Sequence, residues 1–352
     1  NITWTNTGTL TGNLKLEYST DGGSTYPVGN LISNTVAASG TSYAWTIPDN
    51  PSSQTRVRIT QLDDTSVNDQ SDANFSIKGS LFIVAPNGGE VWKVGEARNV
   101  TWTRGGAIAN AKLDYSVDGG ATYPNAITAS TPAANLSYGW TIPDSIDNDI
   151  RVKITDVGDA TVNDASDANF SIKGIVTLTA PNGGETWIVN ASQNITWTKS
   201  GTIPNVKLEY STNGGTTFPN VIVASTAGGS LSYAWTVPDA IGTQLRVRIT
   251  NVDDATVADD SNANFNIKGS LTLTAPNGSE TWIVNSSQNV TWTKQGSIAN
   301  VKLEYSKNGF ADELQTFTII ASTAAAPLTY AWTVADAIGA AVKVRVSDAS
   351  DA

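Results

Sequence analysis

The sequence contains no cysteine, no methionine and no histidine. Without Cys and His, thiol chemistry, zinc-finger sites, imidazole acid–base catalysis and Ser-His-Asp triads are all excluded. The lack of disulfides does not point to a compartment, because a domain of roughly 95 residues buries enough core without them. Charge is scarce as well: 15% of residues are charged, 39% are hydrophobic, and the net charge is −11. That balance is too apolar for a disordered chain and too poor in Lys, Glu and Leu for a helical one. The negative sign excludes binding that depends on neutralising phosphates, and equally a polybasic membrane contact, so no nucleic-acid partner is expected. No run approaches the ~20 apolar residues of a transmembrane helix, and no direct membrane insertion of this segment is expected. No signal peptide is visible, but the chain opens inside a repeat, which makes that silence uninformative.

What is present is a repeat. Ala85–Trp92 reads APNGGEVW and returns as APNGGETW at Ala180–Trp187 and APNGSETW at Ala275–Trp282, each time after 95 residues. The phrase N-[IV]-T-W-T starts at Asn1, Asn99, Asn194 and Asn289. SYAW, SYGW or TYAW ends at Trp45, Trp140, Trp235 and Trp332. A basic-apolar-basic-apolar stretch recurs at Arg56–Ile59, Arg151–Ile154, Arg246–Ile249 and Lys343–Val346. All 11 Trp fall at repeated positions, so none marks a singular site. The repeats predict four units, 1–79, 80–174, 175–269 and 270–352, and therefore a tandem array. The first unit lacks the leading strand and the APNGGExW turn, and the last stops at Asp351-Ala352 without the NFSIKG phrase of Asn169–Gly174. The chain is thus expected to be a window on a longer array.

Within a unit the pattern is that of strands. Val206, Leu208 and Tyr210 share one face and Lys207 and Glu209 the other; Leu231, Tyr233, Trp235 and Val237 alternate with polar or small residues, and Leu245, Val247 and Ile249 alternate with Arg246 and Arg248. Period two with one apolar face marks a half-buried strand. About seven such stretches per unit predict an all-β fold, a tandem array of Ig-like or fibronectin-III-like antiparallel β-sandwiches. In Ig order Lys207 and Glu209 would face Arg246 and Arg248 across the outer surface, contributing a few tenths of a kcal/mol per pair (~0.3). Lys78-Gly79, Lys173-Gly174 and Lys268-Gly269 run directly into the next strand. Joints without a Gly/Ser or Pro linker predict a semi-rigid rod.

The phrases APNGGExW, NITWT, VKLEYSTDGG, SYAWTVPD and NFSIKG resemble the Ig-like domain shared by yeast cell-wall β-glucan assembly proteins and Ser/Thr-rich GPI-anchored proteins, in the tandem form found in bacterial and archaeal surface proteins. The resemblance covers essentially the whole chain. It implies an Ig-like fold, a surface location and array building, and no catalytic residues. The last unit departs from the pattern in Gly278-Ser279 and in the insertion that follows Lys307-Asn-Gly-Phe310.

Three kinds of residue are candidate sites. Ser19–Tyr26 and Ser116–Tyr123 match the S-x-D-x-G-x-T-W "Asp box" that propeller glycosidases carry, but a hairpin turn accounts for every residue: Asp caps amides and Gly accepts positive φ. An Asp-rich segment follows each RVRI strand, with Asp63, Asp64, Asp69 and Asp72 in the first unit. Asp156, Asp159, Asp164 and Asp167 occupy it in the second, and Asp253, Asp254, Asp259 and Asp260 in the third. In Ig topology this loop faces the preceding domain, where it is expected to meet that domain's PNGGE turn. Carboxylates and carbonyls converging there would suit Ca²⁺, a hard cation taking six to eight oxygens. The competing reading is turn capping, and no EF-hand spacing is present. Trp in phase with apolar neighbours reads as core rather than as sugar-stacking platforms, with Trp92, Trp187 and Trp282 least secure because they follow a turn.

Ten N-x-[ST] sequons occur, among them Asn74, Asn135, Asn169, Asn190 and Asn285, and would be used only in a glycosylating host. Thr-rich sandwich edges without Lys or Pro suit lateral or end-to-end self-association or contact with other surface proteins. The expected function is a non-enzymatic structural component of an extracellular or cell-surface rod, stalk, sheath or filament, with an adhesin or polysaccharide-binding array as the alternative. Carboxylate pairs can run glycoside hydrolysis, but here the same carboxylates recur at turn positions. The one sizeable irregularity, Lys307–Thr316, carries no acid–base pair.

Overall fold

The computed structural model describes residues 1–350, and the chain separates into two compact units, one running from Asn1 to Lys173 and one starting at Gly174. In the first unit the best-formed sandwich begins with a leading strand, Ser80–Ala85, which pairs antiparallel with Ala97–Gly105, itself paired with Ser137–Thr141. The opposing sheet runs Asn125–Pro132, Asn110–Ser116, Asp147–Asp156, Phe170–Lys173, Val91–Lys93, with Asn163–Ala165 added to Asp147–Asp156. The chain therefore crosses from one sheet to the other through the PNGGE turn. The strand after that turn pairs parallel with the last strand, Val91 beside Ser171 and Lys93 beside Lys173. Antiparallel sheets packed face to face with this crossover are the Ig-like arrangement.

The second unit repeats the plan. Ile175–Ala180, Ser192–Ser200 and Ser232–Thr236 form one sheet, and Thr186–Ile188, Phe265–Lys268, Gly242–Asn251, Asn205–Ser211 and Asn220–Ala227 the other, with Ala258–Asp260 alongside. Beyond it, Ser270–Ala275, Ser287–Gln295 and Thr329–Thr333 face a sheet of Thr316–Ala324, Asn300–Ser306 and Lys343–Asp348. In the first unit, the strands before Ser80 include the pair Ile2–Thr3 and Ser42–Tyr43, set against a sheet centred on Asn13–Ser19 and Ser52–Gln61. The chain is thus all-β, with tandem Ig-like sandwiches. Among the described residues no helix is long and apolar enough to cross a membrane.

Alternation builds the cores. Leu113, Ile150, Val152 and Ile154 are fully buried, as are Leu208, Val247 and Ile249 in the second unit. Trp102 and Trp197 are buried with their polar ends satisfied, Nε1 donating to the Ala133 carbonyl at 3.0 Å and to the Gly228 carbonyl at 2.9 Å. Trp92 packs against Phe170 with ring centroids 5.1 Å apart and against Trp140 at 5.9 Å; Trp187 does the same with Phe265 at 5.0 Å and Trp235 at 5.8 Å. Trp92 and Trp187 are therefore core residues, and tilted and edge-to-face pairs of this kind add about 0.5–1.5 kcal/mol each beyond their buried area. Trp282 is only partly buried.

The charged outer face follows the expected register only in part, because Arg246 stands opposite Ser211 rather than a charged residue. Glu209 stands opposite Arg248 and Lys207 opposite Thr250. Lys207 reaches Glu209 at 2.6 Å, while in the neighbouring sandwiches Arg58 reaches Glu17 at 3.0 Å and Arg345 reaches Glu304 at 2.7 Å. Burial raises the Glu17 and Glu304 carboxyls, but hydrogen bonds from Lys15 and Arg58, and from Lys302 and Arg345, outweigh it and hold both below the usual range.

Candidate functional site at the aspartate loops and repeat joints

The APNGGE turn explains its own spelling. Glu90 folds back so that its two carboxylate oxygens accept the Asn87 and Gly88 amides, each at 2.8 Å, and Glu185 and Glu280 do the same for their turns. Gly88 sits at φ +135 with Ala168 only 2.6 Å from where a Cβ would be, so both the conformation and the close approach require glycine. Ser279, where the first two turns have Gly89 and Gly184, adopts φ 69. The turn lies against its own sandwich: Asn87 Nδ2 donates to Asp167 at 2.8 Å, and the Asp167 amide donates back to Asn87 Oδ1 at 2.8 Å. This corrects the expectation that the turn meets the aspartate loop of the following repeat.

The loop itself does face the preceding repeat. Lys78, at the end of the last strand before Ser80, reaches Asp159 at 2.9 Å and donates to Thr161 Oγ1. Asp159 also accepts the Thr161 amide at 3.0 Å and its hydroxyl at 2.6 Å. Hydrogen bonds from Thr161 and then Lys78 depress its carboxyl from 3.8 to about 2.

Most of the other aspartates proposed as Ca²⁺ ligands have separate partners. Asp164 Oδ2 accepts the Ile83 amide at 2.7 Å and Asp259 Oδ2 the Leu178 amide at 2.8 Å, so each clamps a leading strand. Asp64 caps Ser66 through its amide at 3.0 Å and hydroxyl at 2.6 Å, and Asp254 does the same for Thr256 at 2.9 Å and 2.6 Å. Asp156 accepts the Gly158 amide at 2.8 Å. Asp260 forms a two-pronged pair with Arg248, at 2.6 and 2.8 Å. The Asp253 amide donates to Asn251 Oδ1 at 3.1 Å. Asp63 lies over Gly12, where an added Cβ would fall 2.1 Å from its carboxylate. Asp69 and Asp72 line a surface cleft. Among the described residues no three acidic side chains form a group that could hold a metal ion.

Two devices were not singled out from the sequence. Ser166 and Ser261 donate their hydroxyls to the Pro86 and Pro181 carbonyls at 2.7 Å and accept the Val152 and Val247 amides at 3.0 and 2.9 Å, tying the crossover turn to the opposite sheet. The signal was the Ser that recurs two residues after Asp164 and Asp259. The second device is the aspartate of the Pro-Asp pair after SYAW. Asp49 Oδ1 accepts the Ala107 amide at 2.6 Å, and Asp239 accepts the Ser297 amide at 2.9 Å and its hydroxyl. Each joins one repeat to the next within its unit. At the same joints, Cβ atoms on Gly79 and Gly269 would fall 2.7 Å from Ile108 and Ile298 side chains and 2.9 and 2.7 Å from the Gly105 and Gln295 carbonyls. The glycine that closes each NFSIKG-type phrase is therefore required by close approach.

The Asp-box stretches are turns. Asp21 Oδ1 accepts the Thr25 amide at 2.9 Å, Oδ2 the Thr25 hydroxyl at 2.6 Å, and Ser19 Oγ accepts the Gly23 amide at 2.9 Å. The Ser19 and Thr25 hydrogen bonds lower the Asp21 carboxyl from 3.8 to about 2, and the same set around Asp118 lowers it further. The aromatic that ends each box is covered by a cation: the Arg58 guanidinium lies 3.9 Å from the Tyr26 centroid, and Lys153 Nζ lies 5.6 Å from that of Tyr123. In the insertion Asp312 caps the Leu314 amide at 2.9 Å, and Glu313 is exposed.

No family model matches the chain, and no curated protein matches it. Solved structures do. One is the tetra-tandem repeat in the extending region of a large adhesion protein, at 16% identity, covering 97% of this chain and 93% of that one, TM-score 0.28. The fibronectin(III)-like modules of CbhA from Clostridium thermocellum match at 21% identity over 53% and 94%, TM-score 0.21. The N-terminal four Ig domains of Dscam1 match at 9% over 83% and 76%, TM-score 0.25. At these identities and scores the likeness is one of domain architecture alone.

Proposed function

We propose that this chain is a non-enzymatic structural component of an extracellular rod, stalk, sheath or filament built from tandem Ig-like repeats. One observation carries the reading: the polar residues that recur from repeat to repeat are engaged in holding strands and joints together. Asp164 and Asp259 clamp leading strands, Ser166 and Ser261 tie the crossover turns, and Asp49 and Asp239 fasten one repeat to the next. An array whose repeated chemistry is internal suits a load-bearing or spacing part. The resemblance of the repeat phrases to the Ig-like domain of yeast cell-wall β-glucan assembly proteins and their prokaryotic surface counterparts supports a surface location. The strands Asn125–Pro132 and Asn220–Ala227 end their sheets and are partly exposed, and such edges, free of Lys though the first ends in Pro132, support self-association. Asp64, Asp159, Asp164, Asp254 and Asp259 each accept a backbone amide, which supports turn capping and strand clamping over calcium binding as their role.

Glycan arrays separate this reading from a polysaccharide-binding array. The expected result is no reproducible binding by the purified chain. Binding to one polysaccharide class that is lost on Tyr123→Ala would replace the structural reading with the adhesive one.

A further inference from the structure

The opening and closing stretches of the second repeat lie side by side and run in the same direction. Ile83 donates its amide to Asp164, the Pro86 carbonyl accepts from Ser166, and Asn87 exchanges hydrogen bonds with Asp167. Farther along, the Gly89 amide donates to the Asn169 carbonyl at 2.9 Å, the Ser171 amide to the Glu90 carbonyl at 2.9 Å and the Val94 amide to the Lys173 carbonyl at 3.0 Å. The partners advance together along both segments. The side-chain pins and the parallel pairing of Val91–Lys93 with Ser171–Lys173 therefore form one seam. The third repeat has the same seam, running from Leu178 on Asp259 and Pro181 on Ser261 to Val189 on Lys268.

Tension along a tandem chain enters a repeat at its first strand and leaves at its last. Ser80 follows Gly79 without a linker, and Lys173 runs directly into Gly174-Ile175. The opening segment is therefore pulled toward its N-terminus and the closing segment toward its C-terminus. Parallel segments pulled in opposite directions must slide along each other, so the hydrogen bonds of the seam are loaded together. A hairpin pulled at its open end breaks its bonds one after another instead. Asp164 is well placed to carry load, because its strand, Asn163–Ala165, pairs with the central strand Asp147–Asp156 and so anchors the pin in the sheet.

We propose that the array is built to bear tension, with this seam as the load-bearing element of each repeat; this rests on the structural reading given above and adds the direction of load. The aspartate and serine pins extend the seam beyond the short parallel ladder, from Val91 back to Ile83. Under load the seam shears first, while the rest of the sandwich is still packed. The recurrence of Asp164 and Ser166 as Asp259 and Ser261 follows, because in a chain under tension every repeat carries the same force.

The test is constant-force spectroscopy of the intact chain held by its two ends, in which each repeat that unfolds lengthens the tether by about 300 Å. Asp164→Ala is expected to shorten the dwell before one unfolding event about tenfold, as loss of a charge-assisted hydrogen bond does. The double variant Asp164→Ala/Asp259→Ala shortens two. Asp167→Ala, at an exposed position that leaves the fold intact, shortens the same event as Asp164→Ala. Ile127→Ala is the control, on the strand Asn125–Pro132 at the sheet edge opposite the seam. It lowers protection against hydrogen exchange without load but leaves the dwell unchanged, because an unfolding rate responds to interactions already broken at its transition state. Parent dwells in both the Asp164→Ala and Asp167→Ala chains, or an equal shortening by Ile127→Ala, overturn the proposal. Either result leaves the array itself standing, since its presence on surface structures is a separate observation.

Discussion

Replacing Ser166 by alanine removes a hydroxyl that serves two backbone groups at once. Ser166 is 1% exposed; its Oγ donates to the Pro86 carbonyl at 2.7 Å and accepts the Val152 amide at 3.0 Å. Both backbone groups lose their side-chain partner in a space that alanine leaves too apolar to satisfy them. Each unsatisfied buried group costs about 1–3 kcal/mol, and the variant recovers about 1 kcal/mol because it no longer desolvates a hydroxyl. The net loss is about 1–5 kcal/mol. Ser261→Ala in the third repeat should cost as much, because its Oγ donates to the Pro181 carbonyl at 2.7 Å and accepts the Val247 amide at 2.9 Å. Unfolding of a multidomain chain is not two-state, so the assay is native-state hydrogen exchange read repeat by repeat. Exchange in Ser80–Ala85 and Asp147–Asp156 should rise about fivefold to a few thousandfold in Ser166→Ala, since 1.4 kcal/mol is tenfold. Less than about 0.5 kcal/mol for either substitution would refute the reasoning.

The joints give a second prediction: Asp49→Ala and Asp239→Ala should speed exchange of the Ala107 and Ser297 amides while leaving the sheet cores at parent protection. If the cores weaken equally, these aspartates are not joint residues. Asp21 and Asp159 supply the pH dependence. Their folded values of about 2 lie below the ordinary 3.8, so their contribution is present above about pH 4 and lost as pH falls through about 2. Carboxyl titration by nuclear magnetic resonance should place both midpoints near 2, and midpoints near 3.8 would contradict the hydrogen bonds. Adding millimolar calcium and then a chelator should leave the melting temperature unchanged; a calcium-dependent rise would return the aspartate loops to metal binding. Light scattering of the intact protein tests edge pairing, with concentration-dependent assembly expected and monomers at every concentration arguing against it.

Much of the fold was legible because two signals were redundant. Alternation in Val206–Tyr210 and Leu245–Ile249 fixed which face is buried, and the 95-residue period of Ala85, Ala180 and Ala275 fixed the unit. Trp92 and Trp187 were less secure, since a residue after a turn has no flanking alternation to fix its face; the parallel pairing of Val91–Lys93 with Phe170–Lys173 is what turns Trp92 inward. The site was harder to read because an aspartate looks the same in sequence whether it caps its own turn, as Asp159 does, or crosses to another strand, as Asp164 does. The placement of PNGGE failed for a related reason. The turn marks a crossover between the two sheets of one sandwich, and that depends on a parallel pairing with a strand some 80 residues later, which local pattern does not reveal.

Cryo-electron tomography of the native source, with antibody label against the repeats, decides whether the proposed structural array stands outside the cell. Label on extracellular surface structures, with density for successive sandwiches along them, is the predicted result. Label confined to the cell interior, or scattered over soluble single molecules, would contradict it.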